Sequence, residues 1–132
     1  MIERITIRTT ARQQLRNITS QISGVLAKSG ITDGLCVVFT PHTTAAITIN
    51  ENADPEVQSD ILRKLAAVFP QHENDRHAEG NSDAHIKSSL IGCSETIIVS
   101  GGKLLLGTWQ GIYFCEFDGP RQRECLVKLL AD

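Results

Sequence analysis

Apolar and polar residues roughly alternate along 2–8, Ile-Glu-Arg-Ile-Thr-Ile-Arg, as in a half-buried strand. The period then changes. Ile18, Ile22, Val25 and Leu26 fall at i, i+4, i+7 and i+8, a helical stripe that Gly30 should stop. Residues 35–39 form a continuous apolar run and read as a buried strand. Residues 46–49 read as the next strand, after the break at Pro41. Asp54-Pro55 suits a helix start, because Asp caps free N–H groups and Pro fits the first helical position. Val57, Ile61, Leu62, Leu65, Val68 and Phe69 mark one face of that helix, and Pro70 ends it. From Pro70 to Ile86 no apolar residue is larger than alanine, and a polar connection of that length is often functional. Ser82 or Asp83 is placed to cap a short helix through Leu90, with Gly92 as its stop. The last third predicts a meander: residues 96–99, a turn at Gly101-Gly102, residues 104–106, a strand over 112–117, a turn at 118–121 and a closing strand over 125–130. The expected fold is α+β: a single domain over residues 1–132, with a mainly antiparallel sheet arranged as a sandwich-like meander. Two main helices cover one face, and a third is short.

Composition narrows the function. The chain has 132 residues, 41% hydrophobic and 21% charged, enough for one core. Thirteen basic and fifteen acidic residues give a net charge of −2, and there is one Tyr and one Trp. That balance argues against a nucleic-acid partner. No apolar run reaches the ~18 residues of a membrane span, and the first residues lack the pattern of a signal peptide. Cys36, Cys93, Cys115 and Cys125 include no C-x-x-C pair. Cys36, Cys115 and Cys125 fall in apolar segments and read as reduced, buried side chains, which fits a cytoplasmic protein.

The candidate chemistry lies in the polar runs. His42 follows a buried strand, His77 lies in the polar connection, and His85 sits near the start of the next helix. Three imidazoles with an open fourth position are a zinc pattern. Glu51, Asp54, Glu79 and Asp83 are the carboxylates expected to orient those imidazoles, and Glu51, Asp54 and Glu79 are the catalytic candidates. His72 reads as a solvated loop residue. Thr43, Asn50, Asn81, Lys87, Ser88, Ser89 and Arg121 are candidates for binding substrate. A lysine and serines at a helix N-terminus suit a phosphate. Trp109 and Gln110 lie between two glycines, where a flat indole can stack on a heterocycle. The competing reading of each run is capping, solvation or core packing. Glu116, Asp118 and Arg123 read mainly as a solvated charged surface around the last turn.

Taken in order, five segments closely resemble the YjbQ family across essentially the whole chain. They are Pro-His-Thr-Thr-Ala-Ala at 41–46, Asn-Glu-Asn-Ala-Asp-Pro at 50–55, His-Ala-Glu-Gly-Asn at 77–81, His-Ile-Lys-Ser-Ser at 85–89, and Gly-Thr-Trp-Gln-Gly-Ile-Tyr at 107–113. The resemblance implies an α+β homotrimer, with His42, His77 and His85 around a metal near a subunit boundary. It also implies a secondary thiamine-phosphate synthase activity, joining hydroxymethylpyrimidine diphosphate to a thiazole phosphate. Imidazoles favour zinc or another transition metal, whereas a diphosphate substrate would bring magnesium. The residues also allow a zinc-dependent hydrolase of a small polar or phosphorylated substrate, or a non-catalytic trimeric module that binds a phosphorylated metabolite.

Overall fold

The computed structural model describes residues 1–72 and 74–132. Eleven elements follow one another: β1 (Ile2–Arg8), β2 (Gln14–Asn17), α1 (Thr19–Ser29), β3 (Gly34–Phe39), β4 (Ala45–Glu51), α2 (Pro55–Val68), α3 (Ser82–Ile91), β5 (Ser94–Ser100), β6 (Lys103–Leu104), β7 (Gln110–Glu116) and β8 (Gln122–Ala131). They form a five-stranded sheet in the order β1-β8-β3-β5-β6 and a three-stranded sheet in the order β2-β7-β4. Every strand pairing is antiparallel. The α+β expectation therefore holds, with two sheets and three helices among the described residues, but α1 packs in the main core and α2 against a second cluster, so the two main helices do not cover one face.

Side-chain alternation explains the layers. Ala45 and Ile47 of β4, and Ile112 and Phe114 of β7, face the main core with Cys36 and Val38 of β3, Cys125 and Val127 of β8, and Ile22 and Leu26 of α1. Ala46 and Cys115 point the other way. They meet Ala84 of α3 and Phe117, with Leu62 and Leu65 of α2 packed alongside. The small sheet is thus covered on both faces, which is why β4 and β7 read as unbroken apolar runs. The large sheet is not. In β3 only alternate residues are buried, so the expectation of a fully buried strand fails there. Leu35 sits opposite Ile98 on one side and Leu130 on the other, and all three are exposed.

Local signals act much as expected. Asp54 caps α2, its Oδ1 accepting from the Glu56 N–H at 2.9 Å. Gly30 closes α1 in the left-handed region, with φ +74. Neither Ser82 nor Asp83 caps α3. Asn81 takes the capping position without a side-chain cap bond; its amide donates to Asp118, and Asp83 binds Arg12 and Lys87. The 104–106 strand shortens to the two residues of β6, and the short strand β2 has no clear counterpart in the apolar pattern. All four cysteines are unpaired. Cys36, Cys115 and Cys125 are buried and Cys93 is exposed. Burial raises the Cys36 thiol to about 11 and the Cys115 and Cys125 thiols to about 12. No described helix is long and apolar enough to cross a membrane.

Candidate functional site

One end of the two sheets opens into a cleft of ≈ 420 Å³ whose walls include all three predicted histidines. The β3–β4 connection carries His42 and Thr43. The segment before α3 carries His77, Glu79 and Asn81, α3 carries His85, and the β7–β8 turn brings Asp118, Arg121 and Arg123. Ser88 ties two of these walls together, its hydroxyl donating to the Thr43 carbonyl at 2.5 Å or to that of His85 at 3.1 Å.

The imidazoles are held differently. His77 and His85 meet edge to face with ring centres 5.5 Å apart. Two imidazoles on one tetrahedral ion would hold their centres about 5 Å apart, so the spacing of this pair, though not its edge-to-face contact, is compatible with a shared ion. Glu79 stands 3.9 Å from His77 Nε2. His42 Nε2 instead accepts the Glu124 backbone N–H at 2.9 Å. A neutral imidazole that accepts at Nε2 carries its proton on Nδ1, so His42 has no lone pair to give unless that bond breaks. Burial, and then the nearby Arg123 charge, lower its pKa and favour this neutral form. Among the described residues no three His, Cys, Asp or Glu side chains stand close enough to hold one ion. Two of the three predicted histidines therefore touch, and the third lines the same cleft with its Nε2 engaged.

Beneath this wall lies a buried ion pair. Arg123 is 4% exposed and Glu116 is 0% exposed. Arg123 Nε donates to Glu116 Oε1 and Oε2 at 2.9 and 3.1 Å, and its Nη2 donates to Glu116 and to Thr44 Oγ1 and O. Glu116 also accepts from Thr9 Oγ1 at 2.7 Å and from the Asp118 N–H at 3.1 Å. Burial alone would raise its pKa; these donors outweigh it and hold the carboxyl below its usual value. The expected solvated surface is thus wrong for Glu116 and Arg123. The available signal for Arg123 was phase, since Arg123, Cys125 and Val127 are buried at every second position, whereas Glu116 ends a strand buried continuously from Gly111. Arg121 is half-exposed and pairs with Asp118. Asn81 donates to Asp118 Oδ2 at 2.8 Å, while its own buried Oδ1 has no partner among the described residues.

Several predicted residues lie elsewhere. Lys87 is fully buried and donates to Asp83 at 2.8 Å, and Asp83 also binds both terminal nitrogens of Arg12. Its ammonium is spent inside the fold, not on the cleft wall. Ser89, exposed on α3, donates back to the His85 carbonyl and lines an adjoining hollow with His42, His85 and Ser88. Asn50, Glu51, Asp54, Trp109 and Gln110 gather at the far end of the small sheet, where Glu51 pairs with Gln110 in register. Six residues of β4 separate that end from the cleft end, about 20 Å of strand. There Asn50 Oδ1 accepts the Glu51 N–H, Glu51 Oε2 accepts the Ala53 N–H, and Gln110 Oε1 accepts the Gly107 N–H. Asn52 donates to the carbonyls of Thr108 and Gln110, fastening a loop on which Trp109 is 64% exposed. These polar runs close turns and caps within one copy of the chain, and Trp109 is not a core residue. His72 is exposed and lies over Gly80, where a Cβ would come within 2.3 Å of its ring.

Fold and cleft together define a class: a two-sheet α+β domain with an imidazole- and arginine-lined cleft at one end. The sequence matches the family described as UPF0047 protein YjbQ-like over residues 3–132. The chain belongs to this family. It is 53% identical to the UPF0047 protein YugU of Bacillus subtilis over 98% of this chain and 99% of that protein. It is 55% identical to a UPF0047 protein of Methanocaldococcus jannaschii over 100% of this chain and 96% of that one. An uncharacterized conserved YjbQ/UPF0047 protein from Clostridium acetobutylicum has the same fold, with a TM-score of 0.96 at 54% identity, covering 97% of this chain and 99% of its own. A hypothetical protein from Aeropyrum pernix also reaches a TM-score of 0.96, at 36% identity over 100% of this chain and 99% of its own.

Proposed function

We propose that the cleft is a metal-assisted site for a small phosphorylated substrate and that the chain is a small-molecule enzyme. The observation that carries this reading is the convergence of His42, His77 and His85, from three separate stretches, on a wall that also holds Arg121 and Arg123. His77 and His85 would hold a divalent ion, with His42 joining them if its ring gives up the Glu124 contact. Imidazole donors favour zinc. The ion would act as a Lewis acid toward a phosphoryl oxygen. The two guanidiniums hold and orient the anion, and Glu79 orients His77. Carboxylates are as numerous as guanidiniums around the cleft, so an anion is better accommodated with a cation beside it. The specific reaction to test is the one the family resemblance implies, transfer of hydroxymethylpyrimidine from its diphosphate to thiazole phosphate. With Lys87 buried, only arginines and the ion remain to stabilise a diphosphate leaving group, which favours zinc-dependent hydrolysis as the second reading.

The reading includes a homotrimer. The exposed row Leu35, Ile98 and Leu130, and the apolar groove along α2 formed by Val57, Ile61, Leu65 and Val68, are faces a second copy would cover. The unpaired thiols fit a cytoplasmic setting. Elemental analysis of protein purified without chelator, repeated on the His42→Ala/His77→Ala/His85→Ala variant, tests the metal. The expected result is zinc lost with the histidines; unchanged metal content refutes it. Turnover of the thiamine precursors and of a panel of phosphate esters, with and without chelator, tests the enzyme. Binding without any turnover leaves the non-catalytic module as the correct description.

A further inference from the structure

We propose that Arg123 is the phosphate-contacting group at the floor of the cleft and that Glu116 is the residue that positions it. This rests on the reading of the cleft as a site for a phosphorylated ligand and assigns the anion to one side chain. A guanidinium has five N–H donors. Nε and Nη2 of Arg123 are occupied by Glu116 and Thr44, whereas Nη1 has no protein acceptor among the described residues. The residue is 4% exposed, yet it forms part of the cleft wall. A fork held on its other edges points its remaining donors in one direction, and an anion that meets it orders little further.

The arrangement is costly to keep for stability alone, because burying an ion pair often contributes less than an apolar pair of the same volume. Arg121, two residues earlier on the same wall, is half-exposed, and its Nη1 also has no protein acceptor among the described residues. The two guanidiniums form an inner, buried contact and an outer, half-exposed one anchored on Asp118. A tetrahedral phosphate matches donors converging from two sides better than a single planar carboxylate does. Asp118 lies between them, accepting from Arg121 and Asn81, which limits the free swing of the outer arm.

The test uses the whole chain and inorganic phosphate as the probe, followed by NMR of the arginine side-chain nitrogens, in chelator and again with zinc. The expected result is that phosphate moves the Arg123 signals first and Arg121 second. Arg123→Lys keeps the charge but loses the fork, and should weaken phosphate binding tenfold or more. Glu116→Gln should weaken it several-fold with the Arg123 signals broadened, a change that loss of stability alone would not produce. If the variants fold poorly, the wild-type shifts still decide. The proposal is overturned if phosphate, with or without zinc, leaves the Arg123 signals unmoved, or if a folded Arg123→Lys binds as tightly as wild type. Zinc loading without phosphate at Arg123 refutes only this inference. Phosphate at Arg123 in a protein that never loads zinc refutes only the metal.

Discussion

Lys87 offers the sharpest separation between a residue that binds a ligand and one that holds the fold. It is 0% exposed and Asp83 is 1% exposed. Asp83 accepts from Lys87 Nζ at 2.8 Å and from Arg12 Nη1 and Nη2 at 3.1 and 3.0 Å. Burial alone would raise the Asp83 carboxyl; the bonds and charges of its two cations hold it below the usual carboxylate value. Asp83→Asn removes the anion that the two cations share. Arg12 is partly solvated and can turn outward, but Lys87 cannot. Stranding one partner of a buried pair costs about 3–5 kcal/mol. For a chain of this length that is a fall in Tm of roughly 10–20 °C. Lys87→Met should behave differently. It replaces the stem with an apolar side chain of similar length and leaves Asp83 paired with Arg12. The ammonium makes one bond where it has three donors, so little is lost, and the change should lie within about 1 kcal/mol of wild type. The double variant Asp83→Asn/Lys87→Met should then recover most of the loss, the coupling expected of side chains in direct contact. The assay is thermal melting at one fixed protein concentration, with phosphate binding measured in parallel. Equal Tm losses for the two single variants, or a stable Lys87→Met that no longer binds phosphate, would refute the structural role.

Three other outcomes are expected. Asp83 and Glu116 both titrate below the ordinary carboxyl value near 4, so their stabilisation is complete above that pH and is lost as the pH falls through their lower folded values. The urea midpoint should therefore drop in this acid range, and Glu116→Gln should show a smaller drop; an unaltered acid limb in that variant contradicts the assignment. Gly34 has φ +149, and a Cβ there would lie 1.9 Å from the Leu130 carbonyl oxygen, so Gly34→Ala should cost at least about 2 kcal/mol, read as a lower urea midpoint. Leu35→Lys with Ile98→Lys puts two charges on the exposed face of the large sheet and should lower the mass found by light scattering with the circular dichroism unchanged; a mass that does not move excludes that face as the contact between copies.

The sequence displayed the fold where period and punctuation agreed. The alternation of residues 2–8, the stripe ending at Gly30 and the Asp54-Pro55 start each translate directly into β1, α1 and α2. The division into two sheets was harder to see. A run such as residues 35–39 looks the same whether its second face meets a helix, as in β4 and β7, or lies open, as in β3. Only the partners of the alternate residues decide between the two. The apolar face predicted for α2 is only partly packed: Leu62 and Leu65 lie against the second core, Val68 is exposed, and none of its residues is fully buried in one copy.

The site was legible in a related but narrower way. His42, His77 and His85 stood out because imidazoles are few and sit at element boundaries, and the topology brings those boundaries to one end of the sheets. The polar runs at 50–54 and 107–111 looked equally chemical, but one strand carries its two ends to opposite ends of the sheet. Glu51 therefore leaves the cleft because His42 lies just before the start of β4. Arg123 shows the reverse error. A charged residue near a Gly-Pro turn looks solvated until its phase is counted against Cys125 and Val127. Glu116 closes the continuously buried run of β7, and the opposite charge of Arg123 meets it there. Charge near a turn is thus a weak guide to exposure, whereas charge at an inward strand position identifies a residue that the fold retains only with a partner, and at the edge of a cleft that partner leaves donors free for a ligand.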